Sequence, residues 1–392
     1  MFRKNVYILG AGFSANAGAP VMSNFVEHAK LLRDDARLGL PAEDQKAFEK
    51  VFKRLGELRV AQAKMEIDIE NIEHLFSLLD MDIEFGGKRE GTLRKDLIFL
   101  ILRTLEKTIH TENLAKGARG LPMQQTGSKD KWSKGVLANY VELFSAFASR
   151  RWISGPRGIP QDGKCQDTII TMNYDCLVDD CLTSMGVRPS YALQDAELPP
   201  ELKRCGYKIG MLKLHGSANW FKCNSDRCNG KILIAGGTPA NRLEYFYGQH
   251  CPHCGQNEVE PVIVPPTWAK GGQSEVLRPV WTEALRALRE AGRVFVIGYS
   301  MPSTDEFFRY MLALALATNE GVDRVVVVNP SSDAQQTFEK LFQSQFGARK
   351  LKPKHSTIEA YVTQGDGLGS ELGQYQEGFD PEMVQASGFP VQ

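Results

Sequence analysis

The stretch that decides the fold is VYILGAGFSANAGAP, residues 6–20. It opens with four apolar or aromatic residues, Val6 to Leu9, and continues directly into Gly10-Ala11-Gly12. A short apolar run that ends in glycine is typical of a fully buried strand in a parallel sheet. We therefore predict a strand over residues 4–9, followed by a tight turn into a helix.

The glycine turn favours two interpretations. Without a Cβ atom, the backbone N–H groups of such a turn can face a pyrophosphate. Ala15 replaces the third glycine of the dinucleotide-binding fingerprint, which is an accepted variant. However, no acidic residue ends an obvious second strand about twenty residues later, as the fingerprint requires. A nucleotide site and a purely structural turn both remain open from this motif alone.

The same stretch is a poor signal peptide. Arg3 and Lys4 resemble a charged start and Ala15-Asn16-Ala17 a cleavage site, but Val6 to Leu9 is too short an apolar core. We expect a cytoplasmic protein, whose 8 cysteines are thiols or metal ligands rather than disulfides. The 47 basic and 47 acidic residues balance, which argues against a strongly nucleic-acid-binding protein. No apolar run is long enough to cross a membrane.

The remainder of the chain indicates an α/β fold, a doubly wound parallel (Rossmann-like) sheet. Runs rich in Val and Ile predict strands at 167–172, 209–214, 261–264, 293–298 and 324–328. Helical stretches at 175–185, 276–291 and 304–318 alternate with some of them. We predict a Rossmann-like domain (1–23 and 153–364), a helical insertion (24–152), a zinc module within the former (220–260) and a flexible tail (365–392).

Polar residues follow three of these strands, where open α/β sheets bind ligands. They are Thr171, Asn173, Tyr174 and Asp175 in TMNYD, His215 in KLHGS, and Gly298, Ser300 and Asp305 in IGYSMPSTD. Each has a plainer interpretation. Asn173 and Asp175 are also typical helix caps, His215 can be a core histidine, and Asp305 is best explained as a turn or N-cap residue.

Taken in order, GAGFSANAGAP, TMNYD, LHGS, paired cysteines, VIGYS and VVVVNP resemble the sirtuin family of NAD-dependent enzymes. The resemblance covers residues 4–20 and about 165–330. It implies that Asn173 and His215 serve catalysis. We predict Asp175 as a third catalytic residue, which orients either group or stabilises nearby positive charge. The resemblance also implies that NAD+ is bound by eight positions: Gly10, Ala11, Gly12, Ser14, Thr171, Gly298, Ser300 and Asn329.

Two departures separate the chain from protein deacylases. PVMSNF lacks the arginine that follows the glycine loop in those enzymes, and Met172-Asn173-Tyr174-Asp175 replaces their Gln-Asn-Ile-Asp. With the long helical insertion, the sequence is similar to prokaryotic sirtuin-like proteins of anti-phage defence, which hydrolyse NAD+. This resemblance implies an NAD+ hydrolase, a homo-oligomer, and a partner such as a HerA-type ATPase or another defence protein. The alternatives are an NAD-dependent protein deacylase and a module that senses NAD or ADP-ribose without turnover.

Four cysteines predict a structural zinc site. Cys223 and Cys228 form one pair, and Cys251 and Cys254 form a second pair in CPHCG. Four thiolates in two such pairs suit a closed, tetrahedral Zn2+ site. His250 and His253 lie beside the second pair and are less favoured as ligands.

The helices of 24–152 have three plausible roles: a lid over the site, an oligomer interface or a partner-binding surface. Their DIENIEHLF segment (68–76) gives no chemistry from sequence alone. The loop 115–135 is rich in lysine, but Trp132 is its only aromatic residue, so we predict a solvated loop rather than a nucleic-acid site.

Overall fold

The computed structural model describes a large part of the chain. The described residues are 4–15, 17–34, 40–65, 71–75, 77, 91–109, 164–184, 187–193, 196–205, 207–228, 230–236, 251, 253–256, 259–264, 274–346 and 351–363. The loop predicted at 115–135 and the tail predicted at 365–392 lie outside these residues, as do His250, Phe76 and most of the second half of the predicted insertion.

Ten strands lie in the described residues. They are β1 (Asn5–Leu9), β2 (Lys164–Thr171), β3 (Val187–Ser190), β4 (Tyr207–Lys213), β5 (Gly216–Cys223), β6 (Ile232–Ile234), β7 (Val259–Ile263), β8 (Arg293–Ile297), β9 (Arg324–Val328) and β10 (Leu351–Lys354). The α-helices are α1 (Ala11–Ala15), α2 (Phe25–Asp34), α3 (Ala42–Met65), α4 (Gly91–Thr108), α5 (Leu177–Ser184), α6 (Pro200–Arg204), α7 (Ser274–Arg289), α8 (Glu306–Ala317), α9 (Ser332–Phe346) and α10 (Ile358–Thr363).

Seven strands form one parallel sheet in the order β10-β9-β8-β1-β2-β4-β3. The central strands are apolar along their length because helices cover both faces, and every residue of β1 is buried. The predicted doubly wound α/β fold is confirmed. The chain leaves β1 toward β2 on one side and returns to β8 on the other, so the topological switch point lies between β1 and β8.

The segment 261–264 forms a strand as predicted, but its predicted place in the parallel sheet is wrong. This segment is β7, which pairs antiparallel with β5 in a separate three-stranded sheet, β6-β5-β7. Two further strands were not predicted from the sequence: β3 and β10, which form the two edges of the parallel sheet. Each is only 4 residues long and contains a proline, Pro189 or Pro353, which is tolerated at a sheet edge but removes the usual strand pattern.

The helices inserted between β1 and β2 pack around a second hydrophobic core, which also includes Ile263 of β7. Phe25 of α2, Phe48 of α3 and Leu97 of α4 belong to it. A buried ion pair joins two of these helices, with Arg103 Nε 2.7 Å from the Asp44 carboxylate. Among the described residues, none of the helices has the length and apolar character that crossing a membrane requires.

The turn after β1 packs backbone to backbone against the turn after β8. The Gly10 and Gly12 amides donate to the carbonyl oxygens of Ile297 and Gly298, at 3.2 and 2.9 Å. A Cβ atom on Gly10 would lie 2.5 Å from the Tyr299 Cα atom, and one on Gly12 would lie 2.9 Å from the Gly298 oxygen. Both glycines are therefore required by the close approach of the two turns.

We predict opposite stability effects for two Gly→Ala substitutions. Gly10→Ala should lower the free energy of unfolding by about 1–3 kcal/mol, because its Cβ meets backbone that cannot move aside. The matched control is Gly56→Ala on α3, where a Cβ meets nothing within 4 Å. This control should be neutral or stabilising by up to about 1 kcal/mol, because alanine favours a helix. Urea unfolding of both variants makes the comparison, and equal effects would contradict it.

Candidate functional site

Asn173 joins the turn after β2 to the turn after β1. Its side-chain Nδ2 group donates to the Gly10 carbonyl at 2.9 Å and to Ser14 Oγ at 3.1 Å. Its own amide donates to Thr171 Oγ1, which in turn donates to the Leu9 carbonyl, both at 3.0 Å. Both Nδ2 protons are thus used to hold the loops, whereas Oδ1 accepts no hydrogen bond from the described residues and remains able to accept one from a ligand.

Asp175 is buried behind Asn173. Its Oδ1 accepts a hydrogen bond from the Leu177 amide at 3.0 Å, which is the helix-capping role that the sequence suggested. Burial raises the pKa of this carboxyl, while the Lys213 charge and the hydrogen bonds from Leu177 and Ser14 oppose the rise. Asp175 therefore orders the start of α5 and, through Ser14, the position of Asn173.

Lys213 supports this loop from inside the protein. Its ammonium group is fully buried and donates to the Asp175 carbonyl at 2.5 Å and to the Asp179 carboxylate at 3.0 Å. The Tyr191 hydroxyl donates to the other Asp179 oxygen at 2.5 Å. Burial by itself would lower the pKa of Lys213, but Asp179 and neighbouring groups outweigh it and the pKa is raised. A buried lysine in a strand gives no sequence signal that distinguishes it from a surface residue.

His215 lies in the two-residue turn between β4 and β5, with a side chain that is only 7% exposed. Gly216 makes this turn possible, since it has a φ of 85° and a Cβ there would strike the Val262 carbonyl. The Val264 amide donates to the His215 carbonyl at 2.8 Å, and Trp281 Nε1 donates to the Leu214 carbonyl at 3.0 Å. The imidazole is therefore held on a rigid turn.

The turns that carry Asn173 and His215 are neighbours. The Ala218 amide donates to the Tyr174 carbonyl at 2.8 Å, and the Leu214 amide donates to the Thr171 carbonyl at 3.0 Å. The Tyr174 and His215 rings are 6.2 Å apart. Two of the three predicted catalytic side chains thus face one region at the carboxyl ends of β1, β2 and β4, and Asp175 lies beneath them.

Asp305 is not the helix cap that its sequence position suggests. It precedes α8, yet its side chain makes no capping hydrogen bond. Instead one carboxylate oxygen accepts from the Tyr299 hydroxyl at 2.8 Å, and the other lies 3.5 Å from His215 Nε2. The turn after β8 directs the Asp305 side chain toward His215. No local sequence pattern predicts this contact, because the two residues are far apart in the chain.

Glu73 is a second residue that the sequence analysis missed. It belongs to the DIENIEHLF segment of the insertion and is only 3% exposed. Burial raises the pKa of Tyr174 and Tyr299 well above that of free tyrosine, and the Glu73 charge raises both further. Tyr174 and Ala218 also pack against the hydrophobic core of the insertion. The inserted helices therefore form one wall beside Asn173 and His215.

The predicted NAD+-contacting side chains differ in exposure: some are accessible to a ligand, and others are buried and already hydrogen-bonded within the protein. Ser300 is exposed on the turn after β8, and Ala11 is partly exposed on the turn after β1. Ser14, Thr171 and Asn329 are buried and already engaged. Asn329 donates to the Tyr299 carbonyl at 3.2 Å and accepts from the Ser331 amide at 2.9 Å. In this conformation the buried group positions the turns rather than presenting free donors to a ligand.

The structure modifies what the glycine motif predicts. The amides of Gly10 and Gly12 donate within the protein and do not face a ligand. The turn after β8 has an unusual backbone conformation, since Gly298 has a φ of 63° and Met301 a φ of 55°. A positive φ at methionine is uncommon, and such conformations often occur at ligand-binding turns.

The four predicted zinc ligands converge. The sulfur atoms of Cys223, Cys228, Cys251 and Cys254 all lie within 4.8 Å of one another. Two separations are 3.6 and 3.7 Å, between Cys228 and Cys251 and between Cys223 and Cys254. Tetrahedral Zn–S bonds of about 2.3 Å place sulfur atoms about 3.8 Å apart, so the cluster fits this ion. With four protein ligands the site is closed, which gives zinc a structural role.

The pKa values of the cluster thiols shift in different directions, and burial raises those of Cys223 and Cys228. A hydrogen bond from the Gln256 backbone lowers the pKa of Cys254 to about 6. His253 is not part of the cluster, because its Nε2 atom contacts the Glu197 carboxylate. This contact ties the cysteine loop to the segment before α6.

The chain matches no protein-family description and no curated protein. Among solved structures, a Sir2 complex with an inhibitor, 2'-O-acetyl-ADP-ribose and a deacetylated peptide has a TM-score of 0.35 at 14% identity, covering 92% of this chain and 91% of the other. A second Sir2 enzyme structure gives 0.35 and 14%, covering 92% and 90%. A Sir2 homologue bound to ADP-ribose gives 0.36 and 14%, covering 98% and 93%. TM-scores this low carry no argument about the activity of this chain.

We predict one zinc ion per chain in protein purified without chelator. Cys251→Ser should lose the ion and melt at a lower temperature, because the small core around Cys223 and Cys251 then loses its central link. Cys205→Ser is the matched control, because Cys205 is not part of the cluster and is only partly buried. Atomic emission spectroscopy measures the metal. Zinc-free wild-type protein that remains folded would contradict the assignment.

Proposed function

We propose that this protein hydrolyses NAD+ at the nicotinamide–ribose bond, giving nicotinamide and ADP-ribose. The observation that supports this most is the convergence of four turns at the switch point of the sheet. Hydrogen bonds join the turns after β1, β2 and β4, and the Asp305–His215 contact adds the turn after β8. Sheets of this class bind ligands in the crevice at that point.

The charge of the region suits this substrate. Three buried carboxyl groups lie near the Asn173–His215 region: Asp305 contacts His215, Glu73 acts on the pKa of Tyr174, and Asp175 follows Asn173 by two residues. The buried ammonium of Lys213 is paired with Asp179. Cleavage of a glycosidic bond develops positive charge on the sugar ring, as in an oxocarbenium ion. Carboxylates beside the ribose stabilise this charge more than they stabilise the bound substrate, in which the positive charge lies on the nicotinamide ring.

The reaction needs few groups. A water molecule attacks the anomeric carbon as the bond to nicotinamide breaks, and nicotinamide leaves as a neutral molecule with the bonding electron pair. Asn173 Oδ1 can accept a hydrogen bond from the water or a ribose hydroxyl. His215 takes the proton that the water loses, because imidazole is the side chain that most often acts as a general base. The proton then passes to solvent, so NAD+ and water give nicotinamide, ADP-ribose and a proton.

We further propose that the activity serves anti-phage defence by depleting NAD+, in a homo-oligomer or with a partner such as a HerA-type ATPase. A cell that carries this hydrolase must keep it inactive until needed. The inserted helices offer a route for control, because their core packs against Tyr174 and Ala218, beside both catalytic residues. A partner or second copy that shifts these helices would shift the catalytic turns.

Chromatography of NAD+ reaction products tests the proposal. The protein is assayed alone, with the product of a neighbouring gene, and with phage DNA. We expect nicotinamide and ADP-ribose in at least one of these conditions. Asn173→Ala and His215→Ala should each lower turnover at least about 100-fold while the protein stays folded. The control is Gln336→Ala, an exposed change on α9 that should leave turnover unchanged.

Each alternative function gives a distinct result. Turnover that requires an acetylated peptide would indicate a deacylase, and binding of ADP-ribose without turnover in all conditions would indicate a sensing module. Either result would overturn the hydrolase proposal. Full turnover in both substituted proteins would overturn the roles given to Asn173 and His215.

A further inference from the structure

We infer that Asp305 is a positioning residue that holds His215 with its proton on Nε2, so that Nδ1 is the nitrogen that accepts a proton. The inference rests on the proposed hydrolysis for its role in turnover, but the geometry it describes can be tested separately. It adds to the site a residue whose place in the sequence, just before α8, suggested only a helix cap.

The contact geometry carries the inference. Asp305 is 5% exposed, and its Oδ1 atom makes no hydrogen bond within the described residues. The group that it faces is His215 Nε2, 3.5 Å away. A buried carboxylate oxygen without a donor is costly, so a donor on Nε2 is strongly favoured over a lone pair there. Hydrogen bonds at catalytic sites are often long without ligand and shorten when substrate binds.

The other Asp305 oxygen fixes the carboxylate. Tyr299 donates its buried hydroxyl to Oδ2 at 2.8 Å, and burial keeps this tyrosine protonated by raising its pKa. Tyr299 is in turn packed edge to face between Phe308 and Phe338, at ring separations of 5.6 and 6.4 Å. A series of side-chain contacts therefore runs from the hydrophobic core to the site. It begins at Phe308, passes through Tyr299 and Asp305, and ends at His215.

The chemical consequence follows from the two nitrogens of imidazole. In the neutral ring one nitrogen is a donor and the other an acceptor. With the proton of Nε2 directed at Asp305, Nδ1 carries the lone pair that removes the proton of the attacking water. The imidazolium formed in that step is stabilised by the Asp305 charge, as a carboxylate does when it orients a catalytic histidine.

The first test is spectroscopic and needs no turnover. Long-range ¹H–¹⁵N correlation of histidine-labelled protein distinguishes the two tautomers, and His215→Gln identifies the signal among the 7 histidines. We expect neutral His215 with the proton on Nε2 in the wild type. In Asp305→Asn, the Tyr299 hydroxyl donates to the oxygen of the new side-chain amide, so the amide NH2 group faces His215 Nε2. Nε2 then accepts a hydrogen bond, and the His215 proton moves to Nδ1. A wild-type protein with the proton on Nδ1 overturns the inference.

The second test is kinetic and uses the assembly that hydrolyses NAD+. Asp305→Asn should lower kcat at least about 100-fold and change KM by less than about threefold, because the tautomer is wrong but the crevice is intact. Tyr299→Phe is the matched variant: it removes one support of the carboxylate and should lower kcat by less than about tenfold. An unchanged kcat in folded Asp305→Asn overturns the inference.

The two proposals fail separately. If the wild-type protein hydrolyses NAD+ but His215 carries its proton on Nδ1, the role of Asp305 is contradicted and the hydrolase proposal stands. If His215 carries its proton on Nε2 but no condition gives turnover, the hydrolase proposal is contradicted and the pairing of Asp305 with His215 stands.

Discussion

The site depends on the close approach of two backbones at the switch point of the parallel sheet. Gly10 and Gly12 lie against Gly298 and Tyr299 so tightly that a single methyl group would collide with main-chain atoms. This contact sets the distance between β1 and β8 at their carboxyl ends. Asn173 then attaches the turn after β2 to the same place by donating to the Gly10 carbonyl. The glycines are thus needed for the structure of the crevice, whatever ligand occupies it.

Buried charge is the second organising feature. Asp175, Asp179 and Lys213 are nearly or wholly buried, and hydrogen bonds satisfy each of them. Burying a charge without a partner is very unfavourable, so these residues bind the turn after β2 to the interior of the domain. Asp305 and Glu73 extend the negative charge from two other elements, the segment before α8 and the inserted helices. In the proposed hydrolysis, positive charge moves from the nicotinamide ring to the ribose ring, and negative charge beside the ribose would stabilise that state.

Much of this arrangement could be predicted from the sequence. The apolar run before Gly10, the Val-rich strands β8 and β9 and the polar residues after β2 and β4 carry strong local signals. The cysteine pairs are similarly informative, because the spacing of metal ligands is a local property. The predicted convergence of Asn173 and His215 follows from one rule, that parallel strands present their carboxyl ends at the same edge.

The rest could not be predicted because it depends on contacts between distant parts of the chain. Asp305 has the local signature of a cap, and only the turn after β8 directs it to His215. Glu73 is about 100 residues from Asn173, in a segment whose pattern indicates a helix and no more. The role of β7 was misread for a similar reason, since its apolar run suits either sheet and its partner β5 begins with Gly216-Ser217-Ala218.

Calorimetric titration with ADP-ribose asks whether the edge of the sheet where the turns after β1, β2, β4 and β8 meet binds the proposed product at all. We expect saturable binding at one site per chain, in the protein alone or in the assembly that activates it. Absence of binding heat in every assembly state, with folded and zinc-loaded protein, would contradict it.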